Sequence, residues 1–277
     1  MTYREVKKAV KGRATVDGAG VHLVRVLSNE TVEDYDPFLM LDSFDSKEPS
    51  LYIKGFPYHP HRGIETITYL IQGQMIHEDS LGNKGVINSG ESQWMTAGSG
   101  IMHQEMPQAS ERMLGLQIWL NLPKKDKMAS PKYFDIKKDM IPLVEDGPAE
   151  VRIISGNYKG THGVKPSYVQ ATLYDVLIKP NSRFEIETNP DDNVFIFLVE
   201  GPIKTGGHEF PPKNAVLYES SGRAIDLATK DEPCRLIYFS GPRLKEKVAW
   251  GGPIVMNTKE ELALAFEELE KGTFIKK

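Results

Sequence analysis

Cysteine is nearly absent from this chain. Cys234 stands alone among 277 residues, which excludes an intrachain disulfide and suits a reducing, intracellular setting. No run approaches the ~18 apolar residues of a membrane span. The basic start MTYREVKKAVKGR leads into no apolar segment of the secretory kind. These absences point to a soluble, unexported protein of the cytoplasm with no membrane partner. Neither sign of charge dominates: 34 Lys and Arg stand against 38 Asp and Glu, a net charge of −4. A general electrostatic footprint for nucleic acid is therefore missing, and no direct nucleic-acid partner is expected. Histidine is scarce too, seven in all, so the placement of those seven carries information.

What is present is turns and short strands. Eighteen prolines and 24 glycines are spread along a chain whose 40% apolar content suffices for a core. GVHLVRVL at 20–27 is rich in β-branched residues, with imperfect alternation: Val21, Leu23 and Leu27 share one face, Val24 and Val26 the other. ETITYLIQG at 65–73 and MLGLQIWLNLP at 113–123 read as strands closed by glycine and proline. The charged, proline-punctuated KKDKMASPKYFDIKKDMIPLVEDGP after residue 123 reads as a connector. Beyond it VRIIS, SYVQATLYDVLIK, NVFIFLVEG and CRLIYFSG form a second set of strands. TYLIQG at 68–73 is echoed by IFLVEG at 196–201, a sign of internal duplication. One clear helix is expected in NTKEELALAFEELEKG. Asn257 or Thr258 would cap it, glutamates fill its first turn, and Gly272 would stop it. Leu262, Phe266 and Leu269 fall on one face, to be packed against the protein's own sheet.

Residues 57–65 read PYHPHRGIE. His59 and His61 are two apart, and in a strand such residues share a face. A second pair at the same spacing, His103 and Glu105, lies in TAGSGIMHQEMP at 96–107, behind Gly98 and Gly100. Two such strands packed across a small barrel would aim four ligands at one point. Three imidazoles and a carboxylate suit Fe, Mn, Co, Ni or Cu better than Ca or Mg, which prefer oxygen shells. Pro60 cannot donate a backbone hydrogen bond, so it belongs at a strand edge, strand start or bulge, pointing away from the metal. Glu65 would share the histidine face if the strand ran regularly through Gly63, but the glycine permits a bend that redirects it. His22 and His77 read as surface or turn residues.

With these blocks side by side, the sequence resembles the pirin family of the cupin superfamily. The resemblance rests on FPYHPHRGIETITYLIQG at 56–73, HEDSLGNKG at 77–85, QWMTAGSGIMHQEMP at 93–107 and the late GPIVMNTKEEL at 252–262. It implies an all-β chain of two stacked cupin β-barrel domains, each a double-stranded β-helix or jelly roll, with a short C-terminal helix. Residues 1–133 would form the metal-binding domain, and 134–277 a metal-free domain carrying the helix. The family's iron ligands match His59, His61, His103 and Glu105. One divalent transition metal per chain follows, Fe(II) first, with Mn, Co, Ni, Cu or Zn as alternatives. The common cupin pattern HxHx3E would name Glu65 instead; the family's carboxylate matches Glu105 and leaves Glu65 a supporting role. Aligning Gly73 with Gly201 places Glu187, Asn189 and Asn193 at the corresponding positions of the second half. Only His162 and His208 occur there, read as solvated loop residues.

Around the ligands, Phe56 and Trp94 are candidates to wall a flat aromatic-substrate pocket. Arg62 could clamp a substrate or support a ligand, and Asp42 in FLMLDSF could reach the pocket rim. Such a metal, with open positions, can bind a phenolate or enolate and turn it toward dioxygen, with Glu105 as ligand and catalytic base. The resemblance implies quercetin 2,3-dioxygenase activity: a flavonol-like small molecule and O2 as substrates, the heterocycle opened, CO released. It equally implies the family's other role, an iron-binding, redox-sensitive regulator whose protein partners are transcription factors or metabolic enzymes. A monomer is expected.

Overall fold

The computed structural model describes residues 2–276. Strands dominate, and the chain divides into two compact units that are not its two contiguous halves. One comprises Ala14–Asn29, Phe38–Lys137 and Leu244 onward; the other comprises the start to Arg13, Glu30–Pro37 and Lys138–Arg243. The split at 133/134 expected from the sequence is thereby corrected. Residue 133 lies inside the strand Lys132–Ile136, which pairs with Glu91–Thr96. The strand Val6–Lys11 pairs with Asn214–Tyr218 and so belongs with the second half. The C-terminal helix belongs with the first. An open sheet edge exposes unpaired backbone groups, and Val6–Lys11 covers one edge of the second unit's large sheet. The stretch read as a connector is partly ordinary sheet: Lys132–Ile136 and Leu143–Asp146 are both strands.

In the first unit a seven-stranded antiparallel sheet runs in the order Lys132–Ile136, Glu91–Thr96, Ile64–Gln72, Met113–Asn121, Phe38–Ser46, Val21–Leu27, Arg13–Asp17. A four-stranded sheet runs Phe56–His61, Ile101–Pro107, Gln74–Asp79, Lys84–Asn88. Leu23, Phe44, Leu70 and Met113 from the larger sheet meet Met75 and Ile87 from the smaller in one buried cluster. The imperfect alternation of GVHLVRVL has a cause: the register against Phe38–Ser46 shifts between Arg25 and Leu27, so Val26 and Leu27 are both buried.

The other unit repeats this plan with seven strands and four. Asp192–Glu200 takes the place of Ile64–Gln72, which bears out the echo between IFLVEG and TYLIQG. Arg183–Glu187 takes the place of Phe56–His61, and Ala224–Ala228 that of Ile101–Pro107. Neither carries a histidine. His162 and His208 are exposed, on two- and three-residue strands rather than in loops.

The helix is Lys259–Glu270. Thr258 is its cap, accepting from the Glu261 backbone while Glu261 reaches back, a reciprocal capping box. Ala265 is its buried centre, packed with Ile254, Met256 and Phe274, with Leu262 and Leu269 alongside; Phe266 is the more exposed member of the expected face. The hairpin Ala249–Gly251 to Ile254–Met256 lies under the helix, so the self-packing expectation holds.

Candidate metal centre

Phe56–His61 is an edge strand, where Pro57 and Pro60 sacrifice few ladder bonds. It pairs with Ile101–Pro107 so that His103 stands opposite His59 and Ile101 opposite His61. Pro60 is opposite Met102 and, by alternation, on the other face from the histidines. A bulge between His103 and Glu105 then sets Glu105 opposite Phe56. The imidazoles of His59, His61 and His103 converge: their ring centroids are 4.4 to 4.9 Å apart, and one nitrogen of each lies within 4.8 Å of the others.

The hydrogen bonds say which nitrogens converge. His59 Nδ1 donates to the Pro57 carbonyl at 2.9 Å and His61 Nδ1 to the Pro253 carbonyl at 3.0 Å. A carbonyl only accepts, so both rings carry their proton on Nδ1 and present a bare Nε2. Those two Nε2 atoms are 3.0 Å apart. His103 Nε2 is buried with no hydrogen-bond partner. Lone pairs brought together this way repel unless a cation lies between them, so the donor set fits a transition metal. Burial drives each imidazole toward its neutral form: His59 is lowered, His61 falls to about 3, and His103 lies well below the ordinary value.

Glu105 stands apart from this convergent trio but lines the same cavity. The Thr68 hydroxyl lies 2.6 Å from Glu105 Oε1 and 2.6 Å from Gln117 Oε1. One hydroxyl hydrogen cannot serve both. A protonated Glu105 donating to Thr68, which donates onward to Gln117, satisfies all three. Burial pushes the Glu105 carboxyl up to about 7, with Thr68 opposing, which agrees with that arrangement.

Glu65 takes the other face. The strand Phe56–His61 ends before Gly63, whose φ of +75° turns the chain, and a Cβ there would come to 2.0 Å from the Val255 carbonyl oxygen. When the next strand begins at Ile64 the phase has changed. Glu65, three residues before Thr68, points to the opposite side of the sheet and accepts from Thr96 at 2.8 Å. Two of the pocket candidates stand outside the cavity lining. Arg62 does not line the cavity; it is buried and spends its guanidinium on Ser99, Phe274 and Glu268. Trp94 neighbours Gln93 on a strand where alternation turns it from the metal side, and it too is outside the lining.

The cavity holds about 660 Å³. Phe44, Phe56, Trp119 and Trp250 give it aromatic walls, and His59, His61 and Glu105 are part of its lining. Asp42 reaches it as expected, gripped through both oxygens by Arg25 at 2.9 and 2.7 Å, while Arg25 also meets Asp17 at 2.6 Å. Burial raises the Asp42 carboxyl to about 6 against the pull of Arg25.

Several participants were not read from the sequence. Trp119 packs edge-on to His61 at 4.9 Å and lies 5.8 Å from Trp250. Pro253, which fixes His61, is 192 residues away in sequence. Lys127, lost in the charged connector, is buried with Nζ at 2.7 Å from the Gly63 carbonyl, 2.5 Å from Asn121 Oδ1 and 2.8 Å from the Val255 carbonyl. Burial lowers its pKa to about 7, yet three acceptors match the three donors of an ammonium. His77 is fully buried rather than on the surface, with a nitrogen 3.4 Å from His103 Nδ1. A signal existed for it: His77 and Asp79 share the i, i+2 spacing of the ligand pairs.

The Pirin family model matches residues 20–120, and the Pirin C-terminal cupin domain model matches residues 173–275. A pirin-like protein of Caulobacter vibrioides is 40% identical over 99% of this chain and 100% of its own. The chain belongs to the pirin family. Human pirin is 34% identical, over 95% of this chain and 91% of its own. The chain has two cupin domains, and it matches the crystal structure of quercetin 2,3-dioxygenase from Acinetobacter baumannii with a TM-score of 0.90 at 26% identity over 98% of each chain.

Proposed function

We propose that this pirin is a metal-dependent dioxygenase of flavonol-like compounds, holding one divalent transition metal, Fe(II) first, through His59, His61, His103 and Glu105. The observation that carries the reading is the convergence of three imidazoles, two of them with a bare Nε2, beside an aromatic-walled cavity. The likeness to a quercetin 2,3-dioxygenase structure supports it. When bound, the metal supplies a Lewis acid and a redox-active ion for a phenolate and dioxygen.

The chain's own residues do the rest. Phe56, Trp119 and Trp250 hold a flat ring system in the cavity and keep water from it. Once Glu105 is ionised, the Thr68 hydroxyl can turn its one hydrogen from Gln117 to Glu105 Oε1, leaving Oε2 to take the proton of the substrate hydroxyl. The neutral carboxyl must first lose its own proton, which metal loading drives. The Arg25–Asp42–Asp17 cluster offers fixed polar groups to hydroxyls of a distal ring. Metal-loaded protein incubated with quercetin and O2 should consume the flavonol absorbance and release CO. A fully loaded protein that does neither refutes the enzymatic reading and leaves the regulatory role.

A further inference from the structure

The three imidazoles differ in what holds their second nitrogen. His59 and His61 each donate to a carbonyl, whose role is fixed. His103 Nδ1 instead faces another imidazole nitrogen, Nδ1 of His77, at 3.4 Å. A ring nitrogen can donate or accept, so the tautomer of His103 is set by that of His77.

The surroundings of His77 decide it. Gln93 Nε2 donates to the same His77 Nδ1 at 2.9 Å. That nitrogen therefore carries a lone pair, and the His77 proton lies on Nε2, facing Asp79 Oδ2 at 3.6 Å. Asp79 is fixed as an acceptor: Leu81 and Asn83 backbone amides donate to its Oδ1, and the Asn83 side chain to its Oδ2. The reverse arrangement would leave His103 Nδ1 bare and drive a proton onto its Nε2, into the middle of the trio, where it would bar a cation. His77 cannot turn aside, because it is fully buried with its ring stacked on Tyr133 at 4.6 Å and 25°. The register completes the picture: His77 lies opposite Glu105 and Asp79 opposite His103, so the two strands present successive ranks of polar groups on one face.

We propose that His77 is the positioning residue of the metal centre, a neutral imidazole that is oriented by Gln93 and Asp79 and fixes His103 with its bare Nε2 toward the metal. The inference rests on the reading of the trio as a metal site. Zinc-loaded protein tests both by long-range ¹H–¹⁵N correlation of its histidine rings, with His77→Asn used to identify the His77 signals. The expected result is the Nε2–H tautomer for His77 and the Nδ1–H tautomer, with a metal-shifted Nε2, for His103. Zinc bound with His77 in the Nδ1–H form overturns the proposal while sparing the metal site. Wild-type protein that takes up no zinc overturns the metal site and the proposal with it. A second measurement uses affinity. His77→Phe should weaken zinc binding by about 10–100-fold, the usual cost of losing such a partner, and alter the visible spectrum of the Co(II) form. His77→Asn, whose Oδ1 can accept where Nδ1 did, should restore most of both. Wild-type zinc affinity and an unchanged Co(II) spectrum in His77→Phe would overturn the proposal. So would His77→Asn behaving no better than a folded His77→Phe. If His77→Phe does not fold, the tautomer measurement decides alone.

Discussion

Arg62 is the residue through which the end of the chain should be felt at the metal. It is 2% exposed. Nε donates to the Ser99 carbonyl at 2.7 Å, one terminal nitrogen to the Phe274 carbonyl at 2.8 Å, and the other pairs with Glu268 at 2.7 Å. Its guanidinium carbon lies 4.1 Å over the Phe274 ring. The Arg62 carbonyl accepts from Val255 at 3.1 Å, two residues from Pro253. Arg62→Met keeps the stem and removes the fork. Breaking a buried ion pair costs about 3–5 kcal/mol. Glu268 keeps a side-chain exposure of 19% and a second partner in Lys276, so water and that lysine relieve part of the loss. The two orphaned carbonyls act in the opposite sense, and about 3 kcal/mol remains. Urea unfolding of the metal-free protein should show it. The second effect is at the site. A loosened C-terminal segment withdraws the Pro253 carbonyl from His61, and zinc affinity against a competing chelator should fall about 10–100-fold. Arg62→Lys, which keeps charge but not the fork, should land between. Arg62→Met with wild-type unfolding and wild-type zinc affinity would refute the coupling.

Further outcomes follow from the same geometry. One metal per chain should be found by elemental analysis, and His61→Ala should lose it on dialysis against a mild chelator; two tightly held metals per chain would contradict the assignment. Glu105→Gln, fully metallated, should turn over quercetin ~10²-fold more slowly, the scale of a lost general base. Glu65→Gln should keep metal near the wild-type level, since its side chain lies across the sheet; complete loss there with retention in Glu105→Gln would reverse the choice of carboxylate. Zinc affinity should rise with pH and level off above about 7. The sign follows from Glu105, which is protonated below about 7 and must release that proton to bind, so affinity falls ~10-fold per unit below it. Burial lowers all three histidines, which favours their neutral, metal-binding form. An affinity flat from pH 5 to 8 by calorimetry would refute this.

The two i, i+2 pairs were legible because both lie in strands, where spacing alone assigns a face. His59, His61 and His103 needed no knowledge of how the strands pack. Glu65 was legible only as a question, since its side depends on one turn at Gly63 whose angle no residue pattern states. His77 was misread because IHEDS ends a strand in sequence, while its burial comes from Tyr133 and Gln93 on other strands. Lys127 was hidden for a similar reason: a lysine in a charged run looks solvated until three oxygens from distant segments surround it. The place of Val6–Lys11 in the second unit was out of reach, because edge pairing uses backbone groups that every residue carries. Arg62, directly after the ligand pair, drew a substrate role by proximity, when alternation sends it the other way.

The order in which the chain is made gives the Pro253 contact another meaning. His61 leaves the ribosome 192 residues ahead of the carbonyl that orients it, an interval of roughly 10–40 s at about 5–20 residues per second. Throughout that interval the PYHPHRGIE segment has its imidazoles but not its full set of partners. Until Pro253 emerges, His61 lacks the carbonyl that fixes its Nδ1 proton and turns its Nε2 toward the neighbouring imidazoles.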